Sequence, residues 1–250
     1  MLSVHRFLFS SFVFFCVING GLFKELPSYI QICKRDPNTL DDCVINSIDA
    51  LRPKMSTGIP ELGIPSMDPL FIEEIQGLTA DNTPVRASGR NIKVTGASSF
   101  VIKKLSVDPD TLKIKVTVYF DKLHFEGEYN LDISFIVPLK GDGTLVADAV
   151  GCTAELTIIP KIYTKDSQEF MKFKKIDADI NIKDYKVELK GLFNGDKNLG
   201  KAANDLINQN RGEFLQATKP HLEKTVEKHL LVVANKVVEG LTLEQVLPKP

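Results

Sequence analysis

The sequence predicts an α+β fold: a long, curved antiparallel β-sheet wrapped around one long C-terminal α-helix in an elongated single domain. Three observations predict it. Phe125, Gly127, Tyr129, Leu131, Ile133, Phe135 and Val137 fall at alternate positions, with Glu126, Glu128, Asn130, Asp132 and Ser134 between them, the pattern of a strand with one greasy and one wet face. The same alternation recurs in neighbouring segments. The one long stretch of helical spacing comes only after Leu199.

Residues 1–20 read as a signal peptide, with His5 and Arg6 leading an apolar run from Phe7 to Ile18 and small Gly20 and Gly21 as cleavage candidates. The run is about a dozen residues, where a spanning helix needs roughly 20; a membrane anchor is the competing reading. Residues 21–250 are expected to form one exported, extracellular domain, since neither a Pro/Gly/Ser-rich linker nor a fixed-period repeat divides them. Loss of the signal removes Arg6 and leaves 30 basic against 32 acidic side chains, so no nucleic-acid partner is expected. Cys16 leaves as well. Export then predicts a disulfide between Cys33 and Cys43 across Asp36-Pro37-Asn38, contributing about 2–3 kcal/mol in the chain-entropy model. A metal pair would use a tighter Cys-x2-4-Cys spacing. Cys152 sits in an alternating run and reads as a small buried apolar residue, with a reactive thiol as the alternative.

Leu40, Val44, Ile45, Ile48 and Leu51 have helical spacing, and Pro53 is expected to end that helix. The segment from Gly58 through Pro69 is too rich in Pro and Gly for regular structure and leads into a first strand at Leu70–Leu78. Strands follow. Ser99–Val107 and Thr111–Phe120 form a hairpin around Asp108-Pro109-Asp110, the latter strand placing Leu112, Ile114, Val116, Val118 and Phe120 on one face. The Phe125–Val137 strand turns at Gly141-Asp142-Gly143 into Val146–Ile158, with Val150, Cys152, Ala154, Leu156 and Ile158 on one face. A last pair, Phe170–Ile182 and Tyr185–Leu192, turns at Lys183-Asp184. A 13-residue strand spans on the order of 43 Å, which demands twist and coil. The helix, expected from Asn198 to Glu239, would reach on the order of 60 Å, with one kink at Pro220 and a stop at Gly240.

Catalytic chemistry leaves no constellation. His124, His221 and His229 are the histidines after the signal, and the eight-residue spacing of the last two does not make a zinc pair. Asp177, Asp179, Asn181 and Glu188 mimic a calcium loop, but its sixth position, a required glycine, is Ile182, so these acids are the wet face of a strand. Lys172, Lys174 and Lys175 stand among acids and read as solvated surface. No cofactor, metal or enzymatic activity is expected; Cys152 and the histidines are the only motive for one. What remains is apolar surplus. The inner strand faces either pack into a filled core, as in an extracellular interaction or signalling protein, or enclose a guest.

Several motifs carry a resemblance: Cys33 and Cys43 bracketing Asp36-Pro37, Gly58-Ile59-Pro60-Glu61, Met67-Asp68-Pro69-Leu70, Tyr129, and Pro138-Leu139-Lys140-Gly141-Asp142-Gly143. The most specific is Leu192-Phe193-Asn194-Gly195-Asp196-Lys197-Asn198-Leu199-Gly200, followed by Asn208-Gln209-Asn210. In order and spacing these resemble the takeout and juvenile-hormone-binding family of secreted insect proteins, over essentially all of the mature chain. The resemblance implies an internal hydrophobic tunnel holding a terpenoid, juvenile-hormone-like or fatty-acyl ligand, and no catalysis. The chain is nearer the takeout branch, because lone Cys152 cannot make the second disulfide of the hormone carriers and Arg211 stands where the family often has tryptophan. The expected ligand site is Tyr129, Leu131, Ile133 and Phe135, with Cys152, Ala154 and Leu156 across the sheet and Phe214 and Val226 from the helix. Tyr129 is the expected polar handle. A monomer is expected, with a small hydrophobic molecule as partner.

Overall fold

The computed structural model describes residues 25–75, 86–134 and 136–250. The expected signal peptide, Phe135 and the end of the first strand beyond Ile75 lie outside the described residues. One antiparallel sheet contains β1 (Leu70–Ile75), β2 (Arg86–Thr95), β3 (Val101–Val107), β4 (Ile114–Ser134), β5 (Pro138–Lys165) and β6 (Gln168–Leu189). Its order is β1-β2-β4-β5-β6, and β3 pairs the first part of β4 while β2 pairs the second. The helices are α1 (Leu40–Met55), α2 (Lys197–Gln209), α3 (Arg211–Val238) and α4 (Leu243–Val246). The sheet curls into a half-barrel against α2 and α3.

α1 forms where the apolar spacing predicts it, with Asp41 and Asp42 in its first turn at the positive end of the helix dipole. Pro53 lies inside its last turn. The Asp41 carboxylate accepts the backbone N–H of Val107 at 2.7 Å, tying α1 to β3. The Cys33–Cys43 disulfide is formed and fastens the preceding chain to the same helix.

The middle of the sheet corrects the predicted strand boundaries. β4, β5 and β6 run unbroken for 21, 28 and 22 residues. The reason is a shared change of parity. In β4 the inner face passes from Val116, Val118 and Phe120 to Leu123 and Phe125, with Asp121 and Lys122 both exposed; in β6 it passes from Ile180 and Ile182 to Tyr185 and Val187, with Lys183 and Asp184 both exposed. In β5 the change falls at Gly151, whose φ of +63° takes up the extra residue. All three strands change at one level, so pairing continues on both sides, from Phe120↔Cys152↔Ile182 to Lys122↔Val150↔Asp184. Lys183-Asp184 is therefore strand, not turn, and Val150, expected inside, is 38% exposed. Gly141-Asp142-Gly143 is likewise strand, opposite Leu131, Asn130 and Tyr129. Glycine is needed there for close approach: a Cβ on Gly143 would lie 1.9 Å from the Lys190 carbonyl oxygen.

The C-terminal helix is also corrected. It breaks at Asn210 (φ −104°, ψ 32°) into α2 and α3, while Pro220 is accommodated inside α3. α2 begins where Asp196 accepts the N–H groups of Asn198 and Leu199, the cap supplied by the Asn-Gly-Asp motif. Both helices lie along β6, the edge strand, and bond to its backbone. Asn204 accepts from the N–H of Leu189 at 2.8 Å and donates to its carbonyl at 2.9 Å; Asn208 does the same for Val187 at 2.9 and 2.7 Å. Asn235 repeats the pair on Phe173 at 2.9 and 3.1 Å. Between them Glu223 and Glu227 accept from the N–H groups of Ile180 and Ala178, each at 2.9 Å.

This predicts a graded stability series. Asn208→Ala leaves both backbone groups of Val187 without their partners and should cost about 1–3 kcal/mol in chemical denaturation, and Asn208→Asp, which keeps the acceptor but sets a carboxylate oxygen against the carbonyls of Val187 and Asn204, should cost at least as much. Equal midpoints for all three proteins would show that these bonds do not hold the helix.

Candidate functional site

The interior between sheet and helices is packed at its ends. At one end Cys33, Leu40, Leu105, Val107, Leu112, Met171, Val238, Leu243 and Leu247 form a buried cluster. At the other, Tyr129, Leu131, Ile133, Leu139, Val187, Leu189, Leu192, Ala203 and Ile207 form a second, with Phe214 packed against it. Between them many of the large apolar side chains are only half-buried, namely Val118 and Phe120 on β4, Leu156 and Ile158 on β5, Ile180 and Ile182 on β6, and Leu222, Val226 and Leu230 on α3, while Ile176 on β6 and Ile92 and Val94 on β2 are buried. Of the whole of α3, Val238 alone is fully buried. The fully buried side chains of this middle stretch of β5 are small, Cys152 at 5% and Ala154 at 9% exposure.

The predicted site residues thus fall into two groups. Tyr129, Leu131, Ile133 and Phe214 come together at one end. Cys152, Ala154 and Leu156 lie in the middle of β5, opposite Phe120, Val118 and Val116 of β4, with Val226 half-buried on α3. Phe135 is outside the described residues.

Tyr129 is the chemically unusual member. It is 9% exposed, and its hydroxyl is buried without a hydrogen-bond partner. Burial, and secondarily the negative charge of Asp142, push its pKa up to about 12. At neutral pH it is a proton donor facing no acceptor, a state that costs about 1–3 kcal/mol. Sequence reasoning missed a second such atom, the buried and unpartnered Nε2 of His229; burial, followed by the charge of Lys236, holds its pKa below the usual histidine value. Its signal was present in the spacing Leu222, Val226, His229, Val233, which sets it among the apolar positions of the helix.

Other chemistry finds no support. Burial raises the Cys152 thiol pKa, the opposite of what a nucleophile requires. Among the described residues no group of His, Cys, Asp and Glu side chains is placed to hold a metal ion. The calcium-loop mimic is strand, with Asp177 paired to Lys175 at 2.5 Å and Asp179 to Lys219 at 2.6 Å.

Comparison with known proteins agrees with this architecture. The model of the family "Haemolymph juvenile hormone binding protein (JHBP)" matches residues 11–248. The crystal structure of Takeout 1 from Epiphyas postvittana superposes with a TM-score of 0.72, covering 87% of this chain and 99% of that one at 20% identity. At 21% identity over 206 residues, 81% of each chain, the sequence is also similar to the protein named "Putative beta-carotene-binding protein" of Schistocerca gregaria.

The Tyr129 environment predicts a distinctive titration. Its folded pKa lies above the unfolded value of about 10, so the stability that depends on the neutral hydroxyl is complete below pH 10 and lost as pH rises towards about 12. Spectrophotometric titration should show Tyr129 and Tyr185 titrating near 12. Tyr129→Phe should remove one of them and leave thermal stability unchanged or higher, because no bond is lost.

Proposed function

Because the chain belongs to the haemolymph juvenile hormone binding protein family, we propose that it is a secreted, monomeric carrier that sequesters a small hydrophobic ligand between the inner face of the sheet and α3. The observation that carries this reading is the half-buried middle: two apolar walls with packed clusters at either end and no large buried side chain on β5 between them. A ligand of matching length would cover both walls, and each Å² of apolar surface so removed from water contributes about 25 cal/mol. The competing expectation, an interaction protein with a filled core, requires these side chains to be in full contact. The Cys33–Cys43 disulfide supports an oxidising, extracellular compartment. No helix among the described residues is long and apolar enough to cross a membrane.

Tyr129 defines the polar end of the ligand. Its orphan hydroxyl calls for an acceptor, and the nearby Asp142 charge disfavours a carboxylate there. A terpenoid or fatty-acyl molecule with an ester, ketone or ether oxygen at one end satisfies both conditions. A pure hydrocarbon such as the carotene in the Schistocerca relative's name would fill the walls and leave the hydroxyl unpaired.

The test is organic extraction of the purified protein with identification of what is released, followed by competition binding with terpenoid and fatty-acyl esters. Tyr129→Phe should weaken an ester ligand roughly three- to tenfold and leave a hydrocarbon of equal size unaffected. Ala154→Trp, filling the middle, should abolish binding of both. A protein that releases no lipid and binds neither class has a filled core, and the carrier reading fails.

A further inference from the structure

The far end of the sheet carries a feature that ligand storage does not use. Pairing of β4 with β5 ends at Ile114↔Ile158, but β5 and β6 continue together from Ile159↔Lys175 to Lys165↔Gln168. On the β4 side the two-stranded hairpin therefore reaches about seven residues, on the order of 23 Å, beyond its neighbour, while on the β6 side Asn235 still bonds Phe173 and Thr242 bridges Phe170, leaving the turn and its last residues uncovered. Its tip is stiff: Asp166 and Ser167, with φ of +50° and +62°, make a two-residue turn of the type that matches strand twist.

The two faces of this hairpin differ. Met171 and Phe173 turn inward to the buried cluster at this end. On the outward face Tyr163 stacks on Phe170 at 5.7 Å between ring centroids, and Lys161, Lys172 and Lys165 surround the pair. Tyr163 is 41% exposed; Ile162, on the other face opposite Met171, is 39% exposed. Lys161 lies directly opposite Lys172, a like-charge cross-strand pair that destabilises an isolated hairpin. None of these three lysines has an ion-pair partner among the described residues. The acids of the tip, Asp166 and Glu169, sit in the turn and on the other face.

We propose that this hairpin tip docks the protein on an anionic lipid surface, with Tyr163 and Phe170 at headgroup depth and Lys161, Lys165 and Lys172 against the lipid charges. The chemistry selects that partner. Amphipathic aromatics flanked by long lysine stems suit the membrane interface, where the stems lie along apolar surface and the ammonium groups reach the headgroups. A narrow convex tip is too small for a stable protein interface, and a soluble polyanion would give the exposed apolar side chains nothing to bury against. A groove of about 480 Å³ opens at the base of the hairpin, lined by Tyr163, Met171, Leu231, Val232, Lys236 and Val238, so a molecule passing between the lipid and the helix–sheet seam would travel a short path. Docking itself does not depend on the carrier reading.

The test is cosedimentation of the mature protein with phosphatidylcholine vesicles with and without phosphatidylserine. Binding is expected only with phosphatidylserine, falling as salt rises and weakening roughly fivefold for each of Lys161→Gln, Lys165→Gln and Lys172→Gln. Lys140→Gln, on β5 far from the tip, should bind as the parent does. The chain contains no tryptophan, so Tyr163→Trp gives a single fluorophore, expected to shift to the blue and be quenched by brominated phosphatidylserine vesicles. Absence of binding, equal binding to neutral vesicles, or an unshifted Tyr163→Trp spectrum would overturn the proposal. So would heparin binding that survives Tyr163→Ser, which would mark a soluble polyanion site. Ligand affinity should be unchanged in all the tip variants, so failure of docking leaves the carrier reading intact.

Discussion

Asn204, Asn208 and Asn235 do for β6 what a further strand would do. Each primary amide offers one acceptor and one donor to a single residue of the edge, satisfying both its N–H and its C=O. The arrangement works because the two periodicities nearly coincide: four helical residues rise about 6 Å, two strand residues about 6.6 Å. Asn204 and Asn208 therefore meet Leu189 and Val187, and Glu223 and Glu227, again four apart, meet Ile180 and Ala178. An open edge is otherwise a template for aggregation; here it is finished by the helix that closes the half-barrel.

That polar attachment frees the interior. A helix clasped by a sheet ordinarily stays in place by burying an apolar stripe, and α3 would then need large side chains in full contact along its length. Held at β6 by side-chain amides and carboxylates, and at its ends by the clusters around Ile207 and Val238, it keeps its position while Leu222, Val226 and Leu230 remain half-buried. The same logic explains why Tyr129 is tolerable. Its unpartnered hydroxyl belongs to the cluster at that end, where burial of large side chains such as Leu139 and Ile207 offsets a cost of about 1–3 kcal/mol.

Much of this was legible in the sequence, for physical reasons that also set the limits. The alternation around Tyr129 and the helical spacing of α1 are direct consequences of burial and appeared where predicted, while the long C-terminal pattern appeared as two helices broken at Asn210. The Cys33–Cys43 pair and the inward positions of Tyr129, Cys152 and Ala154 also appeared where predicted. The strand boundaries were not legible, because alternation reports which face a side chain takes and not whether the backbone continues. A parity change looks the same whether a chain turns back, as expected at Lys183-Asp184, or carries one extra residue onward. Gly141 and Gly143 misled in a related way: they mark the close passage of the Gly191 backbone, and a turn would need the same residue type. The roles of Asn204, Asn208 and Asn235 were hidden because a polar residue on a helix is ordinarily solvated, and nothing local shows that an edge strand lies beside it.

The parity change shared by β4, β5 and β6 also constrains how such a chain can vary in length. Deleting Gly151 alone would turn Ala149, Ala147 and Leu145 to the solvent while their neighbours on β4 and β6 still faced inward. Only a matched removal from all three strands would restore a common inner face, an event requiring three coincident changes. Insertions and deletions are thereby confined to positions outside that span, such as the bend at Ile136 and Val137 and the tip at Asp166 and Ser167, and the span acts as a fixed gauge for the length of the interior.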